Sequence, residues 1–247
     1  MPRPVGLFTD FGLAGPYVGQ MKGRLLTLAP ATAVIDLMHD APAFDPRSAA
    51  YLLAALVPEW PADMVVMAVV DPGVGGARRP LVAEIDGRWF VGPDNGLFEL
   101  LWRRAIQARA WTVTWRPQRL SASFHGRDLF APVAARLAQG ETPEAIGAEA
   151  AEPLRFPQWP EDWAAIIYAD AYGNAMTGLR ASIVAADATV QVAGQQLHRA
   201  NTFADRPKGS AFWYENSIGL VEIAVSEGRA CDVLGLELGG EVGVFSG

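Results

Sequence analysis

The chain has 247 residues, 51% of them apolar, with a formal net charge of −7. That length and apolar content suit one large or two smaller globular domains. The acidic balance excludes nucleic acid or an anionic membrane as the main partner. Cys231, the single cysteine, excludes an intrachain disulfide and reads as a small buried side chain.

No targeting segment is expected, because the apolar run before Asp10 is too short for a signal peptide. Nothing approaches the ~20 apolar residues of a membrane span, so the expected location is cytoplasmic. Val5 to Phe8 reads as a buried strand with Thr9-Asp10-Phe11-Gly12 as the turn at its end. A helix over Tyr17 to Leu28 stops at Ala29-Pro30, and a second strand covers Ala33 to Leu37. Arg47 to Val57 is a helix ending at Pro58, followed by a third strand over Met64 to Val70. Strands alternating with helices predict a largely parallel sheet.

Leu81 to Ile85 and Arg88 to Val91 flank Asp86-Gly87, a hairpin signal. A helix over Leu97 to Ile106 has Asp94 or Asn95 available as its cap. Ser123 to Asp128 is a loop entering a helix that ends at Gly140, and Thr142 to Ile146 suits a short helical turn. Prolines 153, 157 and 160 stiffen a connector between Ala151 and Trp163. Beyond it come short β-like runs: AAIIYAD, ATVQVAG, SAFWYE, GLVEIAV, DVLGLEL and EVGVF. Their regular spacing predicts a small all-β barrel or sandwich. The expected division is an α/β domain over 1–154, a linker over 155–162 and a β domain over 163–247.

Several motifs exclude chemistries. Gly73-Val74-Gly75-Gly76-Ala77-Arg78 has an arginine where a dinucleotide fingerprint needs its third glycine, and no Gly-Lys-Ser/Thr phosphate-loop ending. Asp10-Phe11-Gly12 matches a kinase tripeptide, but the rest of the kinase set is missing. The histidines at 39, 125 and 198 form no His-x-x-x-His pair, and no metal is expected. Asp10, Asp36, Asp40 and Asp71 at strand ends are the one group that a divalent cation would use.

Other motifs carry chemistry. Asp71 and Arg78 flank a glycine-rich turn at the end of the third strand, where open α/β sheets bind ligands. They read either as a water- or anion-handling corner or as a solvated salt bridge. If His125 lies nearby, the three make an acid–cation–imidazole set able to orient and deprotonate water. Arg127 and Asp128 read as an ion pair at a helix start. In the β-rich half, Asp170 to Asn174 is a polar turn, and Phe212 to Ser217 sets three aromatics beside an amide and a hydroxyl. Those groups suit a purine or sugar pocket, or equally a small barrel core.

Eight stretches occur in a familiar order: TDFG (9–12), YVGQMKG (17–23), VVDPGVG (69–75), Arg78-Arg79, GPDNGL (92–97), FHGRD (124–128), DAYGN (170–174) and NSIGLVEIAV (216–225). On these the chain resembles the adenosine-forming S-adenosyl-L-methionine (SAM) hydrolases, or SAM hydroxide adenosyltransferases, relatives of the SAM-dependent fluorinase and chlorinase. The resemblance covers nearly the whole chain. It implies a Rossmann-like α/β/α amino-terminal domain, a smaller carboxyl-terminal β-barrel and a homotrimer with SAM held between subunits. It also implies that SAM is the substrate, with no cofactor.

By the same matching Asp71, Arg78 and His125 are the catalytic set. The halogenases have tyrosine matching Asp71 and no histidine matching His125. Asp10 matches a ribose ligand, Phe44 an aromatic beside the nucleoside, and Gly126 the halogenases' halide-contact region. Asp170 and Ser217 match groups that hold the methionine moiety, and Asn174 one at the adenine edge. Gly15 stands where relatives usually carry an aspartate, which removes any role for that side chain. The expected reaction is hydrolysis of SAM at ribose C5′. The alternatives are a non-catalytic SAM or adenosine sensor, and a halogenase.

Overall fold

The computed structural model describes residues 2–245. They separate into two units: the chain up to Ala50 with Trp60–Phe156, and Tyr51–Glu59 with the chain from Pro157 onward.

The amino-terminal part runs β1 (Val5–Thr9), α1 (Tyr17–Leu28), β2 (Val34–Met38), α2 (Pro46–Leu56), β3 (Val65–Val69), β4 (Pro80–Ile85), β5 (Arg88–Pro93), α3 (Glu99–Arg104) and β6 (Ala108–Val113). A π-helical turn over Gly126–Phe130 then runs into α4 (Ala131–Ala138), followed by α5 (Pro143–Ile146) and β7 (Ala148–Ala150). One sheet in the order β2-β1-β3-β5-β4-β6-β7 results. Its first four strands are parallel. The expected largely parallel sheet is therefore corrected to a mixed one, because the β4–β5 hairpin, β6 and β7 pair antiparallel. Asp86 and Gly87 both have positive φ (48° and 81°), as a two-residue hairpin turn with the sheet's twist requires.

Alternation in β1 and β3 explains how the sheet is held. Val5, Leu7, Val65, Met67 and Val69 join a core with Met21 and Leu25 of α1 and Val133 and Leu137 of α4. The intervening Phe8, Val66 and Ala68 are buried too, so the central strands are covered on both faces. Each such side chain contributes about 1.5–3 kcal/mol when removed from water. This packing makes the ends of β1 and β3 rigid supports for the polar loops that follow them.

The helix expected over Leu97 to Ile106 is shorter, and neither Asp94 nor Asn95 caps it; Phe98 stands at the cap without a side-chain bond. Asp94 instead accepts from Arg79 Nη2 at 2.5 Å and Leu154 N at 2.8 Å. Asn95 Nδ2 donates to Val70 O at 2.9 Å. The 92–97 turn thus braces both ends of the loop that carries Asp71 and Arg78.

The second part contains β8 (Trp163–Ala169), β9 (Ala175–Arg180), β10 (Thr189–Val192), β11 (Gln195–Leu197), β12 (Ala211–Glu215), β13 (Leu220–Val225), α6 (Ala230–Leu234) and β14 (Gly243–Phe245). The sheets are β12-β13-β9-β8 and β11-β10-β14, each antiparallel. Trp213, Ile223, Val190 and Val221 centre their shared core. The strand expected at DVLGLEL is a correction. Residues 230–234 are helical, burying Ala230 and Leu234 four residues apart and ending at Gly235 in the left-handed region (φ 63°).

Candidate active site

Asp71 follows β3 by two residues, and Arg78 precedes β4 by two. Asp71 takes Arg78 in a fork: Nε lies 2.9 Å from both carboxylate oxygens, and Nη2 bonds Oδ2. Both side chains are nearly inaccessible, 4% and 9% exposed, and the guanidinium lies 5.1 Å from the Phe130 ring centroid. The solvated salt bridge is therefore excluded. A buried, bidentate pair is expensive to disrupt, by about 3–5 kcal/mol when one partner is removed.

His125 completes the group, with Nδ1 2.8 Å from Arg78 Nη2. Close approach of two loops makes this contact possible. At Gly75 (φ 77°) a Cβ would stand 2.4 Å from Ala122 O, so only glycine lets residues 121–125 pack against the 71–78 loop. Burial and the Arg78 charge push the His125 pKa down, against the opposing influence of Asp71. Gly126 is buried at the start of the π turn beside Met21, Phe124 and Phe11. Arg127 and Asp128 pair at 2.6 Å as expected, and Asp128 Oδ2 accepts from Ser121 N at 2.9 Å, fixing the loop.

Asp10 lies in the turn after β1. Burial raises its pKa, the Phe44 amide lowers it, and the charge of Asp71 raises it further. Phe44 N donates to Asp10 Oδ2 at 3.0 Å. Phe44 itself has φ 59° and is 78% exposed, an aromatic held in a strained backbone conformation with nothing in the described residues covering it. Such strain is concentrated at ligand sites. Phe11, Tyr17 and Phe124 form an aromatic trio with centroids 5.3–6.0 Å apart. Tyr17 opens the YVGQMKG stretch, but nothing in its spacing tells that it meets Phe124.

Asp170, Asn174 and Ser217 line a cavity of about 720 Å³ in the second unit, with Tyr172, Tyr214 and Glu222. Pockets of this size hold small organic ligands. Asp170 Oδ1 accepts from Tyr172 N and Asn174 N at 2.9 and 2.8 Å, and Oδ2 from Asn174 Nδ2 at 3.0 Å. That bond fixes the amide orientation and leaves Asn174 Oδ1 buried with no partner among the described residues. An unmet buried acceptor is costly. Asn216 Oδ1 accepts from Ile218 N and Leu220 N, shaping the turn that exposes Ser217.

Glu222 is the residue that sequence reasoning missed in this pocket. It is 2% exposed, accepts from Tyr214 Oη at 2.5 Å and Asn216 Nδ2 at 2.7 Å, and burial raises its pKa. A lone charge inside the apolar run LVEIAV was the available signal. Asp36, one of the four strand-end carboxylates that a divalent cation would have used, is engaged by Lys22 Nζ at 2.7 Å and His39 Nε2 at 2.9 Å. Among the described residues no three His, Cys, Asp or Glu side chains group in a way that holds a metal ion. Nor is any helix there long and apolar enough to cross a membrane.

Known proteins match this chain over both parts. The SAM hydroxide adenosyltransferase N-terminal domain model matches residues 5–147, and the corresponding C-terminal domain model matches 164–243. An (R)-S-adenosyl-L-methionine hydrolase of Thermus thermophilus is 43% identical, covering 96% of this chain and 97% of the relative. Another, from Salinispora arenicola, is 38% identical and covers 98% of each. A crystal structure of an uncharacterized conserved protein from Thermotoga maritima superposes with a TM-score of 0.88 at 29% identity, over 98% of this chain and all of that one. The chain belongs to the SAM hydroxide adenosyltransferase family.

Proposed function

We propose that the protein hydrolyses SAM to adenosine and L-methionine, with hydroxide attacking ribose C5′ and the C5′–S bond breaking. The hydrogen-bonded Asp71–Arg78–His125 chain carries this reading. The sulfonium leaves as a neutral thioether, so the leaving group needs no acid, metal or cofactor. What the reaction needs is an in-line oxygen nucleophile at neutral pH.

The donor inventory decides how the set supplies it. Arg78 can only donate, so His125 Nδ1 must accept, and the neutral ring then carries its hydrogen on Nε2. Asp71 is occupied in holding Arg78. The groups left for an oxygen ligand are donors, which favour hydroxide over water and stabilise charge in a poorly solvated place. In this reading His125 orients the nucleophile, and the proton goes to solvent as hydroxide binds. Hydroxide and sulfonium neutralise one another at the transition state.

For substrate binding, Asp10 takes the ribose hydroxyls, beside the ring of Phe44. Asn174 Oδ1 accepts from the adenine amine, and Asp170 and Ser217 hold the amino acid moiety. The protein acts as a homotrimer, one subunit's first domain and its neighbour's second enclosing SAM. The finer architecture is a Rossmann-like α/β/α domain over 1–154, a connector over 155–162 and a β-barrel over 163–247. Chromatography of a SAM incubation tests the reading. Adenosine and methionine should appear in equal amounts with wild type and vanish with Arg78→Ala; intact SAM with wild type would refute it.

A further inference from the structure

The mechanism leaves one polar chain without a role, running from buried Thr9 through buried His39 to the half-exposed Asp36 and Lys22. The His39 side chain is 3% exposed. Its Nδ1 lies 2.8 Å from Thr9 Oγ1 and its Nε2 2.9 Å from Asp36 Oδ1, while Asp36 Oδ2 accepts from Lys22 Nζ of α1. Thr9 Oγ1 in turn accepts from Phe11 N at 3.3 Å. Thr9 is fully buried, so its hydroxyl hydrogen cannot turn to solvent. Directions follow along the whole chain. Phe11 N–H donates to Thr9, the Thr9 hydroxyl donates to His39 Nδ1, and His39 Nε2–H donates to Asp36.

The backbone joins the same two loops. Gly12 N donates to His39 O at 2.6 Å, and Ala41 N to Thr9 O at 3.1 Å. Phe44 N closes the lacing on the Asp10 carboxylate. Thr9 and Phe11 are the two neighbours of Asp10, so the ring of His39 reaches both sides of that carboxylate through one hydroxyl.

We infer that His39, acting through Thr9, is a positioning residue that fixes the direction of the Asp10 carboxylate and its bond to Phe44. The inference rests on the reading of Asp10 as the ribose ligand, but its first test does not. A ligand carboxylate misplaced by even an ångström loses much of its use, and fully satisfied buried networks supply such rigidity.

The test compares Thr9→Val, which keeps the β-branched shape and removes the hydroxyl, with Thr9→Ser, which keeps the hydroxyl. Backbone NMR of the ligand-free protein reads the Phe44 amide, which touches Asp10 and not Thr9. Thr9→Val should shift that amide and speed its hydrogen exchange, while Thr9→Ser should leave both near wild type. Adenosine affinity should fall about fivefold or more with Thr9→Val, the loss of roughly one hydrogen bond. KM for SAM should rise more than kcat falls. An unchanged Phe44 amide in folded Thr9→Val overturns the inference. A shifted amide with unchanged adenosine affinity overturns instead the ribose reading of Asp10. If Thr9→Val does not fold, ¹⁵N shifts of wild-type His39 decide: hydrogen on Nε2 alone supports the chain, and hydrogen on Nδ1 breaks it.

Discussion

Arg78 Nη2 stands 2.8 Å from His125 Nδ1, so a group that can only donate faces the nitrogen on which a catalytic base would otherwise be read. The consequence is a hydrogen on Nε2 and a histidine that orients an oxygen nucleophile. Histidine ¹⁵N shifts should show a protonated Nε2 and a bare Nδ1 in wild type, and a mixed tautomer population in Arg78→Ala. A wild-type His125 with hydrogen on Nδ1 would contradict the assignment.

The same contact sets a pH dependence. The His125 pKa is lowered by burial and by Arg78, so the unfolded chain binds its proton first as pH falls. Stability from this group is present above the ordinary histidine range and is lost as pH drops through it toward the depressed value. A second hydrogen would also collide with Arg78. As pH falls, His125 protonation should therefore steepen the loss of turnover beyond what loss of bound hydroxide alone produces, and His125→Asn should remove that extra steepness. An unaltered acid limb in the variant would assign it elsewhere.

Removing Asp71 strands a buried guanidinium. Asp71→Ala should cost about 3–5 kcal/mol of stability and reduce turnover far more than SAM affinity. Calorimetric unfolding and ligand titration check both halves. Equal losses of turnover and affinity would make the pair a wall of the pocket and not a part of the chemistry.

Among the described residues Asn174 Oδ1 is buried without a partner, and on the proposed function it accepts from the adenine. Adenosine has an exocyclic amine there and inosine does not. Wild type should prefer adenosine by about 1–3 kcal/mol, roughly five- to 150-fold, and Asn174→Ala should erase the preference. Equal binding of the two nucleosides by wild type would remove Asn174 from the adenine edge.

Two buried glutamates should pull stability in opposite directions with pH. Burial raises the Glu222 pKa, so its contribution is full below the ordinary glutamate range and is lost as pH rises through the raised value. For Glu99 burial also raises the pKa, but hydrogen bonds from Arg155, Arg103 and Phe156 N outweigh it, and the result is lowered. Its stabilisation is present above the ordinary range and is lost as pH falls through the depressed value. Thermal unfolding from acid to neutral pH should show Glu222→Gln gaining on wild type as pH rises and Glu99→Gln losing.

Much of this was legible from local pattern. Tyr17–Leu28 stands in the sequence between Pro16 and Pro30, with Val18, Met21 and Leu25 at helical spacing. The Asp86-Gly87 turn likewise declares its hairpin. Strands whose identity depends on partners were not legible. Within β9, Gly178 interrupts the β-forming run, and β7 has three residues whose pairing with β6 alone makes them a strand. Residues 230–234 are apolar enough for either form, and the left-handed Gly235 decides for helix. At the site, residue types announced Asp71, Arg78 and His125. Their meeting depends on Gly75 admitting the 121–125 loop, which no spacing reveals. Glu222 and His39 were hidden because their partners, Tyr214 and Thr9, become neighbours only through strand pairing and loop packing.

Hydrolysis at this site requires attack by a water-derived oxygen at C5′. Incubation of the protein with SAM in ¹⁸O-labelled water, with and without chloride, tests it most directly. Adenosine carrying the label at its 5′-oxygen, in the same yield with chloride, is the predicted result. A halogenated nucleoside, or SAM that stays bound and intact, would contradict it.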